Sequence, residues 1–257
     1  GCRAMSARAA VVIVNWGAPA RVENCVQSFL ASGTAARDIA VVDNAHANRN
    51  SDALRSKFDR IEVLSPDTNL GFAGGANAGI NWAFKNDYDY IFLANNDLTV
   101  NPDTLPPLAA FMDARSDVGI AGALPCYRDT GIPHFMRASI NWSRGKPAIE
   151  EGEPRDSDAY QTEFATGCSI LMRSEALRAA GTFDASYFLY WEDVDLCFRI
   201  RAAGYSVMMV PQSRALHDVS GSTGHSSPLT LYYQTRNRLM FFQRHAPSIR
   251  TRWWFVA

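Results

Sequence analysis

The chain has 257 residues, 47% of them hydrophobic, with 25 Lys and Arg set against 26 Asp and Glu for a net charge of −1. That length and apolar fraction fit one large α/β domain or two small ones. The balanced, interspersed charge excludes a global basic field for nucleic acid.

Five scattered cysteines with no CxxC pair argue against a zinc ribbon or a disulfide scaffold and fit a reducing, cytoplasmic setting. No run of about eighteen apolar residues appears, so a complete membrane span is not expected. Residues 1–5 lack the apolar core of a signal peptide. Residues 10–16 form a β-branched run, the expected first strand. Pro19 then opens a helical spacing through Val22, Val26, Phe29 and Leu30. No GxGxxG follows the strand, so a dinucleotide-binding turn is not expected there. A second strand at 39–42 runs into Asp43 and Asn44, and a short helix near 53–58 leads to a third strand at 61–64. The glycine-rich stretch at 69–79 suits close approach of the backbone to a ligand or to another element. It lacks the Gly-Lys-Ser/Thr of a phosphate loop.

The organising stretch is 89–97, a short apolar run that reads as a buried parallel strand and ends in Asn95, Asn96 and Asp97. Ligands of open α/β sheets bind beyond the carboxyl ends of the strands. A carboxylate there suits Mg²⁺ or Mn²⁺ shared with a ligand's phosphates. An Asx turn with a helix cap explains the same residues. Pro102 is expected to open a helix through 108–114, followed by a fifth strand at 118–123. Alternation of strand and helix predicts a mostly parallel sheet with helices on both faces. Residues 126–160 read as an irregular excursion or small hairpin over the open face.

A strand at 168–172 and a helix at 174–180 follow, the helix stopping at Gly181. The stretch 187–199 sets Glu192, Asp193 and Asp195 in the first turn of a helix, where the macrodipole favours acids. The aromatic run before them, 187–191, would shield the carboxylates, and a shielded carboxylate beside a cleft is what a general base for a hydroxyl needs. A strand at 206–210 belongs to a segment reaching His217, and a Gly/Ser-rich loop at 220–227 precedes a helix at 229–244. His134, His225 and His245 read as surface residues, and Cys168 as a buried small hydrophobe. Arg236, Asn237 and Arg238 either reach phosphates or form the solvated side of their helix. The basic and aromatic tail at 250–256 suits a membrane interface or, equally, a packed terminal helix.

Several motifs then coincide in one order: VVIVNW at 11–16, VVDN at 41–44, NLGFAGGANAG at 69–79, LANND at 93–97, WEDVDLCFR at 191–199 and YYQTRN at 232–237. From about Val11 to Phe242 the chain resembles the family 2 glycosyltransferases. These are inverting enzymes of GT-A fold, and the likeness is to the rhamnosyltransferase-like branch of bacterial polysaccharide and O-antigen assembly. The resemblance implies a single GT-A domain over 10–245, with a Rossmann-like central sheet, a nucleotide-sugar half at 10–125, a smaller acceptor-binding half at 126–245, and a tail at 246–257.

Carried over by position, the resemblance implies that Asn15 and Asp43 line the base and ribose pocket. Asn69, Gly71, Phe72 and Asn77 would wall the donor site, with Asn96 near the ribose or diphosphate. Asp97 and His217 would hold a divalent metal, Mg²⁺ or Mn²⁺. Asp193 would be the catalytic base. Glu192, Asp195 and Arg236 would bind substrate, Asp195 through acceptor hydroxyls, and Trp191 would stack on a sugar. Asn95 departs from the family's Asp-x-Asp, leaving one carboxylate for the cation. The implied donor is a dTDP- or UDP-sugar, dTDP-rhamnose above all, and the implied acceptor a glycan or lipid-linked glycan met at the inner face of the membrane. A sugar-phosphate nucleotidyltransferase and a non-catalytic sugar-nucleotide-binding module are the competing readings.

Overall fold

The computed structural model describes residues 7–17, 19–44, 50–218 and 227–248. The readings made of residues 1–5, His225, the loop up to 226 and the tail at 250–256 lie outside the described residues. In the first half β1 (Ala9–Asn15), β2 (Ile39–Asp43), β3 (Glu62–Leu64) and β4 (Tyr90–Asn95) alternate with α1 (Pro19–Ala31), α2 (Ser51–Lys57) and α3 (Gly71–Lys85). A three-residue strand, β5 (Leu98–Val100), follows the polar triplet, before α4 (Leu105–Ala114) and the long β6 (Val118–Tyr127). The excursion after β6 holds a hairpin of β7 (Arg137–Asn141) and β8 (Lys146–Glu150), then β9 (Tyr160–Gln161). The chain closes with β10 (Ser169–Arg173), α5 (Ser174–Ala180), α6 (Glu192–Ala202), β11 (Ser206–His217) and α7 (Pro228–His245).

The sheet runs β3-β2-β1-β4-β10-β6-β11-β5, with β9 paired to β11. The expected parallel pairing holds for β3, β2, β1 and β4. β10 then enters antiparallel between β4 and β6, so the second half of the sheet is mixed. Strand period places alternate residues on opposite faces. Val12 and Val14 pack towards α3, α5 and α6, while Val11 and Ile13 pack towards α1, α2 and α4. The small residues of 69–79 serve this packing: a Cβ on Gly79 would overlap the Val12 side chain, and one on Gly75 would come to 3.0 Å from Val14. α4 starts three residues later than Pro102 suggested, with prolines at its own first positions. Residues 101–104 form a turn instead, in which Asn101 N donates to Thr104 Oγ1 at 2.9 Å and Thr104 Oγ1 donates to Arg214 O at 2.6 Å.

Candidate functional site

Register alone gathers the first set of polar residues. β1 pairs Asn15 with Asp43 of β2, and Val14 with Asn95 of β4, so three parallel strands end at one edge. Their side chains bond one another. Asn15 Nδ2 donates to Asp43 Oδ1 at 3.0 Å, and Asn96 Nδ2 donates to Asn15 Oδ1 at 2.8 Å. Asp43 Oδ2 accepts from Asn50 N and Ser51 Oγ, both at 2.7 Å. Asn15 and Asp43 are fully buried, so in this structure they form a braced floor beneath the strand ends and present no exposed surface there. Asn44 ties this floor to the next wall, donating to Gly71 O at 2.7 Å and accepting from Leu70 N at 2.8 Å. Asn69 is exposed and caps that turn, its Oδ1 accepting from Gly71 N at 2.9 Å. Gly71 is needed there, because its φ is +69° and a Cβ would strike Phe188.

Asp97 meets His217 because β5 turns back onto the end of β11, pairing Leu98 with His217. His217 Nε2 lies 3.2 Å from Asp97 Oδ1. Asp97 is 6% exposed, and among the described residues its Oδ1 receives no hydrogen bond. An unsatisfied buried carboxylate oxygen facing an imidazole nitrogen fits a shared cation. Cis ligands of a small octahedral ion, each about 2.1 Å away, lie about 3 Å apart. Among the described residues no group of three His, Cys, Asp or Glu side chains converges on one point. Two protein ligands, with water and diphosphate oxygens completing the shell, are what Mg²⁺ accepts.

Asp193 approaches the same strand ends from the other half. Its Oδ2 accepts from Gly167 N at 2.9 Å and its Oδ1 from Val194 N at 2.8 Å. The next residue, Cys168, accepts at its carbonyl from Asn95 N at 3.4 Å. Burial pushes the Cys168 thiol up to about 12, with added repulsion from both Asp97 and Asp193, so it lies within electrostatic reach of the two carboxylates. A Cβ on Gly167 would come to 3.2 Å from the Phe72 ring and 3.4 Å from Asp193 Cβ. Phe72 itself is half-buried, edge-on to Phe183. Burial raises the Asp193 carboxyl above the usual carboxylate range against the lowering pull of its backbone donors. Glu192 is raised further, by burial and then by Asp193, and its Oε2 has no hydrogen-bond partner.

Other expected ligand-binding side chains are engaged inside the protein. Asp195 is buried, 2.8 Å from both Arg199 Nε and His245 Nε2, and accepts from Tyr187 OH at 3.2 Å. It holds the start of α6 to the end of α7 and does not face an acceptor. His245, read as a surface residue, is half of that tie. Trp191 is buried against Phe241, ring centroids 5.2 Å apart, and donates from Nε1 to Gln234 at 3.2 Å, so it is core and not a sugar platform. Asn77 is bonded on both sides of its amide to the Phe183 backbone. Arg236 donates from Nη2 to Tyr187 O at 2.9 Å, gripping the turn before Trp191 and not a phosphate.

That turn is strained: Phe188, Tyr190 and Trp191 all have φ between 64° and 72°, where side chains cost about 1–3 kcal/mol each. Asn237 Nδ2 donates to Tyr187 O, Leu189 O and Tyr190 O at 2.8, 2.7 and 2.8 Å. Sequence reasoning read Asn237 as a phosphate contact or a solvated side chain, His134 as a surface residue, and gave Gly167 no role. His134 lies with its Nε2 3.1 Å from His217 Nδ1, and burial followed by the neighbouring His217 lowers it to about 4. The YYQTRN motif was the one available signal for Asn237; nothing local marked the other two.

Residues 10–181 match the family model described as Glycosyl transferase family 2. The N-acetylglucosaminyl-diphospho-decaprenol L-rhamnosyltransferase of Mycobacterium tuberculosis is 26% identical over 89% of this chain and 82% of its own length. The rhamnosyltransferase WbbL of Escherichia coli is 41% identical over 51% of this chain and 53% of its own. Among solved structures, GalNAc-T7 with UDP, GalNAc and Mn²⁺ superposes with a TM-score of 0.68 at 16% identity, over 91% of this chain and 48% of that one. S. aureus TarS in complex with UDP gives 0.61 at 14% identity, over 97% and 70%. These two share the fold.

Proposed function

The chain belongs to the family 2 glycosyltransferases, and from that premise we propose that it moves L-rhamnose from dTDP-rhamnose to a hydroxyl of a lipid-linked glycan, with inversion, in cell-surface polysaccharide synthesis. The arrangement of Asp97 beside His217 at the strand ends, with Asp193 bonded to the turn that leads into β10, carries the reading. The named activities of the mycobacterial and E. coli relatives support the choice of sugar, and the former supports an N-acetylglucosaminyl-diphospho-polyprenol acceptor. Among the described residues no helix is long and apolar enough to cross a membrane. The acceptor's lipid is reached from the cytoplasmic face in this reading.

Asp193 takes the proton of the acceptor hydroxyl as that oxygen attacks the anomeric carbon. The bond from that carbon to the diphosphate breaks, and its electron pair leaves with the nucleoside diphosphate. A carboxyl raised by burial is a stronger base once ionised, which suits this task. Asp97 and His217 would hold the Mg²⁺ or Mn²⁺, which would supply charge neutralisation for the leaving diphosphate. The braced floor of Asn15, Asp43 and Asn96 supports the nucleoside, while Phe72 and Gly167 close the wall beside the base. Burial and then the neighbouring Asp193 both favour the protonated form of Glu192, which opposes a second negative charge there.

The test is transfer from a panel of labelled dTDP- and UDP-sugars to N-acetylglucosaminyl-diphospho-polyprenol, with and without Mn²⁺. dTDP-rhamnose should give product and the UDP-hexoses none. Product from a UDP-hexose alone would overturn the donor assignment, and metal-independent transfer would overturn the roles of Asp97 and His217.

A further inference from the structure

If Asp97 and His217 hold a cation as proposed above, His217 must offer it an unprotonated Nε2, the nitrogen 3.2 Å from Asp97 Oδ1. A neutral imidazole then carries its proton on Nδ1, and the partner of that N–H fixes both tautomer and ring orientation. The atom 3.1 Å from His217 Nδ1 is His134 Nε2. The alternative tautomer, with Nε2 protonated, would have no lone pair there to offer the cation. Among the described residues Asp97 Oδ1 receives no hydrogen bond, so it stands beside Nε2 as the second ligand atom.

His134 is held in place for this contact. An isolated bridge pairs Pro133 with Cys126, and His134 N donates to Pro125 O at 3.0 Å. β6 in turn pairs Cys126 with Leu216 and Tyr127 with His217. The His134 ring packs on Tyr127 with centroids 5.1 Å apart and lies 5.2 Å from the His217 ring. One strand therefore aligns both imidazoles, although 83 residues separate them in sequence.

We propose that His134 is a positioning residue that accepts the His217 Nδ1 proton and so presents His217 Nε2 to the divalent cation. His134→Phe keeps a ring against Tyr127 but cannot accept; His134→Gln restores an acceptor near the position of Nε2. Mn²⁺ binding is measured by calorimetry with UDP or dTDP present and no sugar, so that no turnover contributes. His134→Phe should weaken Mn²⁺ by about 10–100-fold, the usual loss for such outer partners, and His134→Gln should recover most of it. Histidine ¹⁵N spectra near pH 8, without metal and with Mg²⁺, should show His217 as the Nδ1–H tautomer in wild type and in His134→Gln. Thermal melting confirms that each variant folds.

Wild-type binding with neither diphosphate, or His217→Ala binding as wild type, would overturn the cation reading and the role of His134 with it. Wild-type binding lost in His217→Ala but unchanged in His134→Phe would overturn the role of His134 alone. A His217 protonated on Nε2 in the wild type, or equal loss in Phe and Gln variants with the tautomer unaltered, would do the same.

Discussion

The two halves of the site reach one strand-end edge by different physics. On the first side, Asn15, Asp43, Asn96 and Asp97 arrive through the register of three parallel strands, and the first three hold one another by side-chain bonds. On the second side, Asp193 begins a helix that follows a left-handed, strained turn, and its position depends on donors from residues 167 and 237. A strand end needs only pairing to place a carboxylate. A helix start needs clamps, and those clamps come from segments tens of residues away. Removing function and removing structure should therefore separate cleanly in the second half.

The largest separation is expected at Asp193. Asp193→Asn should lower kcat by about 10²–10⁴-fold, the usual worth of a general base, while dTDP binding stays near wild type. Its raised pKa gives stability the opposite sign. A raised carboxyl keeps its proton in the folded chain after the unfolded chain has released it. That stabilisation is full below the unfolded value and is lost as pH rises through the folded one. As pH rises the wild type comes to bear a buried charge that Asn does not, so the variant should gain in melting temperature over the wild type with rising pH, the gap closing towards acid. A variant both inactive and less stable would return Asp193 to the ordinary structural acids of a helix start.

Asp195, two residues on, should behave as the mirror image. Burial pushes its carboxyl up, but the hydrogen bonds of His245 and Arg199 prevail and hold it below the usual range. Its contribution to stability is present above the unfolded value and lost as pH falls through the folded one. Asp195→Asn should cost about 3 kcal/mol at pH 7, the lower end for breaking a buried ion pair, because Arg199 keeps carbonyl acceptors at Ala180 and Thr182. The loss should shrink in acid, and the KM for acceptor should stay near wild type. A large rise in that KM with unchanged melting would restore Asp195 to the acceptor.

This contrast also sets what could be read from the chain itself. β1, β2, β4 and the helix carrying Glu192, Asp193 and Asp195 declare themselves by period and by end residues. The direction of β10 does not, because a run such as Ser-Ile-Leu-Met-Arg has the same pattern either way along a sheet. β5 is too short at three residues to show alternation, yet it brings Asp97 to His217. Asp193 and Asp195 look equivalent on the page of the sequence. Only the arrival of Arg199, His245 and Tyr187 around one and of Gly167 beside the other separates them. Asn77, Trp191 and Arg236 are illegible for the same reason: the partners that engage them are backbone or core groups reached only after folding.

Asn237 tests whether the strained turn is what aims Asp193. It is fully buried, and one amide group serves three carbonyls of residues 187, 189 and 190. Asn237→Ala removes the amide donor from Leu189 O and Tyr190 O, while Tyr187 O keeps Arg236, and should cost about 1–3 kcal/mol. The turn would then relax towards right-handed backbone. Phe188, whose carbonyl accepts from Ala73 N at 3.2 Å and whose ring stacks on Tyr233, would draw away from Gly71. Since Trp191 accepts the first hydrogen bond of α6 from Asp195 N at 2.9 Å, relaxation there turns the helix start and swings Asp193 off Gly167 N. The expected signature is a fall in kcat with little change in donor KM, because Asp97, His217 and the braced floor belong to the other half. An equal rise in donor KM would mean that the two halves share one support after all.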